Sequence, residues 1–127
     1  MVTYKYSWID ALKFYVVDFI PFNTEYTSLG CWKDKSIRAI GTLEGSSSFL
    51  DGTNYHSRED AIQKCYQAAK SLGYHVFAVQ HGGQCASSAT AKSTYNKYGA
   101  STACMPDGKG GPWANDVYEI NHGTFLI

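Results

Sequence analysis

Four cysteines constrain this chain more than any other feature: Cys31, Cys65, Cys85 and Cys104 stand 34, 20 and 19 positions apart in 127 residues. None forms the close C-x2-C pair of a structural zinc site. Two disulfides and an oxidising, extracellular compartment are therefore expected, with four separate buried thiols as the alternative. Composition agrees with a small stapled domain. Hydrophobic residues are 44% of the chain and charged residues only 17%, which excludes a disordered segment. A chain of this length buries roughly two thirds of its extended surface, enough for one modest core. Eleven Lys+Arg balance eleven Asp+Glu. With no basic stripe to displace counterions, nucleic acid is not an expected partner.

The first 26 residues read as an N-terminal extension packed on the fold. Asp10, Lys13 and Asp18 interrupt its apolar stretch, so no uncharged run reaches the ~20 residues of a membrane span. No small-residue cleavage site follows a clean apolar run, and membrane insertion is not expected. Within the extension, Ser7 and Asp10 resemble the cap of a short helix reaching Phe14, and Tyr15 to Ile20 reads as a strand stopped by Pro21.

Beyond it, Thr27 to Trp32 reads as a strand carrying Cys31, and residues 41–56 as a loop pinned by Phe49 and Leu50. One clear helix follows. Ser57 is the expected cap, Asp60 sits near the positive end of the dipole, and Gly73 provides the stop. Between them Ala61, Ile62, Cys65, Ala68, Ala69 and Leu72 recur at helical spacing as one apolar stripe. Tyr74 to Gln80 and Gln84 to Ser87 flank a His81-Gly82-Gly83 turn and read as a hairpin. Residues 92–114 form a long polar stretch that should be stapled or functional, and Asn115 to Ile120 and Thr124 to Ile127 read as closing strands. The expected fold is a single α+β domain over 1–127, one main helix on a small antiparallel sheet with long loops stapled by two disulfides. Four cysteines allow three pairings. The hairpin after Gly73 must cover the helical stripe that carries Cys65, and Cys85 is the first thiol to return there, which favours Cys65–Cys85 and leaves Cys31–Cys104.

Several segments, taken in order, resemble the WSC domain, a small cysteine-rich extracellular module. Leu29-Gly30-Cys31-Trp32-Lys33-Asp34 with Arg38-Ala39 is similar to that family's opening. Gly73-Tyr74, Phe77-Ala78-Val79-Gln80 and Gly82-Gly83-Gln84-Cys85 resemble its centre, and Lys97-Tyr98-Gly99, Ser101 to Cys104, Gly110 to Trp113 and Val117-Tyr118 its end. The likeness covers about residues 27–120. Family members usually carry eight cysteines and this chain carries four, so it resembles a reduced variant. The resemblance implies a secreted, carbohydrate-binding module with no cofactor.

The candidate binding residues follow from the chemistry of sugars, which present apolar C–H faces ringed by hydroxyls. Aromatic side chains near the expected turns are Trp32, Tyr55, Tyr95, Tyr98 and Trp113, with Asn54, Gln80, Gln84, Asn115 and Asp116 as polar partners. Their alternative role is core packing, or contact with another protein in a structural or adhesive matrix module. No catalytic signature stands out. Ser87, Ser88, His81 and Asp107 supply the residue types of a hydrolase triad, a third and weaker reading, without the G-x-S-x-G elbow. A metal site is not expected: Asp107-Gly108-Lys109-Gly110-Gly111 lacks the alternating acids of a calcium loop, and His56, His75, His81 and His122 form no i, i+4 pair.

Overall fold

A computed structural model describes residues 25–52 and 54–121. The expected helix and strand of the N-terminal extension, its packing up to residue 24, and the strand at Thr124 to Ile127 lie outside the described residues. The described elements are β1 (Tyr26–Lys33), α1 (Ala61–Ser71), β2 (Val76–Gln80), β3 (Gln84–Ser87), a one-turn α2 (Ala91–Thr94) and β4 (Ala114–Ile120). The strands form one antiparallel sheet in the order β1-β4-β2-β3. This is the expected α+β architecture, and both disulfides are present: Cys31–Cys104 and Cys65–Cys85, with Cα–Cα distances of 6.1 and 5.3 Å.

The period-2 alternation of β2 sorts its side chains onto the two faces of the sheet, and both faces are covered. Phe77 and Val79 face α1, where they join Cys65, Ala68, Ala69, Tyr118 and Ile120, with Leu43 and Leu50 from the preceding loop. Val76 and Ala78 face the other way, against Ile40, Ala86, Ala91 and Val117. Cover on both faces explains why β2 is buried along its whole length. Tyr26 opens β1 and sets its ring edge-on to Phe77 and Tyr118, with centroids 5.5 and 5.4 Å away.

Strict alternation fails once. The β1–β4 register shifts between Ser28 and Gly30, a bulge at which Gly30 takes φ +99°, open to glycine but strained for other residues. The extra residue lets Leu29 and Trp32, three positions apart, pack on the same cluster. The Trp32 indole N–H donates to Leu29 O at 2.8 Å across the bulge.

The start of α1 differs from the sequence expectation. Ser57 belongs to a separate 3-10 turn, Tyr55–Ser57, in which Asn54 Oδ1 accepts the His56 N–H at 3.1 Å. Asp60 precedes α1 at φ +51° and its side chain makes no cap bond. Arg58, between them, is drawn inside. Its guanidinium makes a bidentate pair with Glu44, both bonds 2.8 Å, and donates to Gly83 O and Leu50 O at 2.7 and 2.9 Å. That anchor delays the helix to Ala61. The far end obeys its signal: Gly73 N–H reaches Lys70 O and Tyr74 N–H reaches Ala69 O, both at 3.0 Å, a Schellman motif. Leu72 is the C-cap and is 45% exposed, so the buried stripe ends at Ala69.

Candidate functional site

The chain between α2 and β4 ends in a tight turn, Gly111-Pro112-Trp113-Ala114, closed by Gly111 N–H to Ala114 O at 3.0 Å and Ala114 N–H to Gly111 O at 3.1 Å. Proline at the first corner and a positive φ at the second follow the type II pattern, whose second corner normally takes glycine. Here it holds Trp113, at φ +53° and 55% exposed. The left-handed conformation costs a residue with a Cβ roughly 1–2 kcal/mol. The turn is fastened from behind, since Asp34 N–H donates to Trp113 O at 2.9 Å and a Cβ on Gly111 would meet Ala103 O at 2.0 Å.

Trp113 and Pro112 line a cleft of about 190 Å³. Tyr55, His81, Gln84, Arg38 and Gln80 also line it. Tyr55 reaches this place because the 3-10 turn lies against the β2–β3 turn without a gap. A Cβ on Gly83 would stand 2.0 Å from Tyr55 O, so only glycine admits the approach. His56 packs beside these residues, its ring 4.3 Å from that of Tyr55 and 4.5 Å from that of His81. A second cleft, shared through His81 and Pro112, runs on past His56 and Met105.

The polar groups around Gln80 are linked. The Asp34 carboxylate is fully buried and takes three donors: Ala39 N–H at 2.8 Å, Gln80 Nε2 at 2.7 Å, and Arg38 Nε. Burial works against its charge, but the Ala39 N–H, the Arg38 guanidinium and Gln80 together hold its pKa below the ordinary aspartate value. Gln80 Nε2 also donates to Asn115 Oδ1 at 2.9 Å. Two donors in this cluster, Arg38 Nη2 and Asn115 Nδ2, are buried with no acceptor. Buried polar atoms are rarely left so.

Of the candidates read from the sequence, the structure brings Tyr55, Gln80, Gln84 and Trp113 together, with Asn115 buried beside Gln80. Trp32 and Tyr95 lie elsewhere, half-buried and edge-to-face at 5.4 Å on the Ile40–Val117 cluster. Tyr98 donates its hydroxyl to Ile37 O, with Lys35 and Lys97 ammonium groups 4.8 and 5.2 Å from its ring centre. Asp116 accepts the Gly110 N–H at 2.8 Å and ties down the late loop. Its pKa is pushed up by burial, against that bond and aided by the charge of Asp107. Asn54 caps the 3-10 turn. Sequence reasoning did not single out Arg38, Asp34 and Pro112 as site residues. The only local signal was an opposite-charge pair four residues apart, in a segment with no helical pattern.

Comparison with protein families, with curated proteins and with solved structures finds no match. Among the described residues, the cluster of metal-ligand types is Cys31, Cys104 and Asp116, whose two sulfurs are joined to each other and offer no thiolate. Ser87 Oγ is buried and donates to Val76 O at 2.6 Å. No helix among the described residues is long and apolar enough to cross a membrane.

Proposed function

We propose that this domain is a non-catalytic, extracellular recognition module of WSC-like type that binds carbohydrate at the Trp113 cleft. One observation carries the reading: a tryptophan is held open to solvent at a turn position that glycine would fill without strain. Strained residues of this kind cluster at active and ligand-binding sites, and His81, which lines the same cleft, is also left-handed at φ +52°. A flat indole suits the C–H face of a sugar ring, and Arg38, Tyr55, His81 and Gln84 supply hydrogen-bonding groups around it. Two disulfides suit an oxidising compartment, which supports secretion.

A glycan array probed with the purified domain and with Trp113→Ala tests the proposal. Binding by the parent, lost in a variant with an unchanged circular-dichroism spectrum, is the expected result. The second reading, a matrix module that binds protein, draws on Ile37 and Met105, exposed at 76% and 57%. A silent array together with concentration-dependent self-association would favour it over carbohydrate binding.

A further inference from the structure

Resting on the carbohydrate reading, we propose that the Trp113 cleft takes an acidic saccharide, with the sugar's carboxylate or sulfate received by Arg38. Among the described residues, those lining the cleft include a guanidinium, an imidazole, two amides and a phenol, but no carboxylate. Asp34, the acid that holds Arg38 and Gln80, has a fully buried side chain and already takes three donors, so it faces no ligand. Asp107 lines the adjoining cleft rather than this one. Arg38 gives Asp34 only its Nε, which orients the planar group and leaves the terminal nitrogens uncommitted. Nη2 is buried with no acceptor, so the nitrogen that can meet a ligand at the cleft surface is Nη1, which makes no hydrogen bond among the described residues. A guanidinium fixed at one corner and unsatisfied at another is suited to an oxyanion, with which it forms its shortest and strongest hydrogen bonds. Gln80 has spent both amide hydrogens on Asp34 and Asn115, so the remaining donors to an incoming anion are Tyr55, His81 and Gln84. Trp113 would stack on the ring that carries the acid.

Calorimetric titration tests this with three probes: a glucuronic-acid oligosaccharide, the same chain with its carboxyls reduced to neutral sugar, and a sulfated counterpart. At least one acidic chain should bind about tenfold or more tightly than the neutral chain, which a single charge-assisted bond can supply. Arg38→Gln should abolish that preference. Because it also takes a partner from buried Asp34, a second variant is needed. Gln84→Glu places a carboxylate at a half-buried position lining the cleft and should weaken the acidic chains selectively. Trp113→Ala should lose all three. Equal affinity for acidic and neutral chains, still dependent on Trp113, would overturn the anion assignment and leave the carbohydrate reading standing. No binding of any chain by the folded parent would overturn both.

Discussion

Stability measurements tell whether Trp113 belongs to the core or to the proposed binding face. A core tryptophan costs ~3–5 kcal/mol when truncated. Trp113 is 55% exposed at φ +53°, so Trp113→Gly exchanges lost packing for relief of strain and should change unfolding free energy by no more than about 1 kcal/mol in either direction. Urea denaturation reads that number, while ligand binding should disappear. Buried Asp34 and the half-buried Glu44 and Asp116 set the response to acid. For Glu44, as for Asp34, burial opposes the charge. The Arg58 hydrogen bonds, the Cys85 N–H and the Arg58 charge nevertheless bring its pKa below the ordinary value. A depressed carboxylate contributes stability that is complete above its unfolded pKa and is lost as pH falls through the folded one. Asp116, raised by burial, acts in reverse: it favours the folded state in acid and loses that contribution as pH rises from the ordinary aspartate value through its own higher folded pKa. The expected profile is therefore a loss of stability that sets in below about pH 4, where the unfolded chain takes up protons that folded Asp34 and Glu44 still resist. The loss is complete once they too are protonated. A Glu44→Gln variant should show a shallower acid limb in thermal melts across pH 2–7.

At the scale of elements, the site depends on the contact between the β2–β3 turn and the 3-10 turn. Gly83→Ala would drive a methyl group into Tyr55 O. It should cost about 3 kcal/mol as an overpacking defect and weaken ligand binding, because Tyr55 must move. Gly41→Ala is the control: a Cβ there meets nothing within 4 Å, and its stability should stay within about 0.5 kcal/mol of the parent in the same denaturation assay. Both α1 and the hairpin were legible in the sequence, the one from its apolar period and Gly73 stop, the other from strand residues around His81-Gly82-Gly83. The true start of α1 was not, because the competing cap at Ser57 was overridden by the Arg58–Glu44 pair, formed between residues fourteen positions apart. Nor was the placement of Trp32. Its pairing partner and its face depend on a bulge that no period-2 pattern signals.

For the whole molecule, the two disulfides differ in reach and in exposure. Cys31–Cys104 spans 73 positions and is half-buried; Cys65–Cys85 spans 20 and both its cysteines are fully buried between α1 and the sheet. Thiolate exchange needs access, so mild reduction of the native protein should open Cys31–Cys104 first. Differential alkylation and peptide mass mapping would show it, and early labelling of Cys65 would contradict the packing described. In the chain-entropy model the long loop is worth roughly 4.5 kcal/mol and the short one roughly 3. The paired variant Cys31→Ser, Cys104→Ser should therefore lose about 4.5 kcal/mol on denaturation, with the Trp113 turn loosened because Cys104 holds the same loop.

By itself the sequence determined what rests on neighbours and on periodicity: an α+β chain, the stripe of α1, the hairpin, and a cysteine pairing that follows once the hairpin must cover the helix. Four of the cleft residues, Tyr55, Gln80, Gln84 and Trp113, were legible as turn-proximal aromatics and amides. Only the tertiary structure decided that these four meet while Trp32, Tyr95 and Tyr98 do not. It also decided that Arg38, tied to buried Asp34, joins them. The physical reason is that the cleft is assembled from segments up to 75 positions apart, 38 to 113. They are brought together by close backbone approaches at Gly83 and Gly111 and by one buried carboxylate. Those contacts depend on distance in space, and no local pattern in the chain records them.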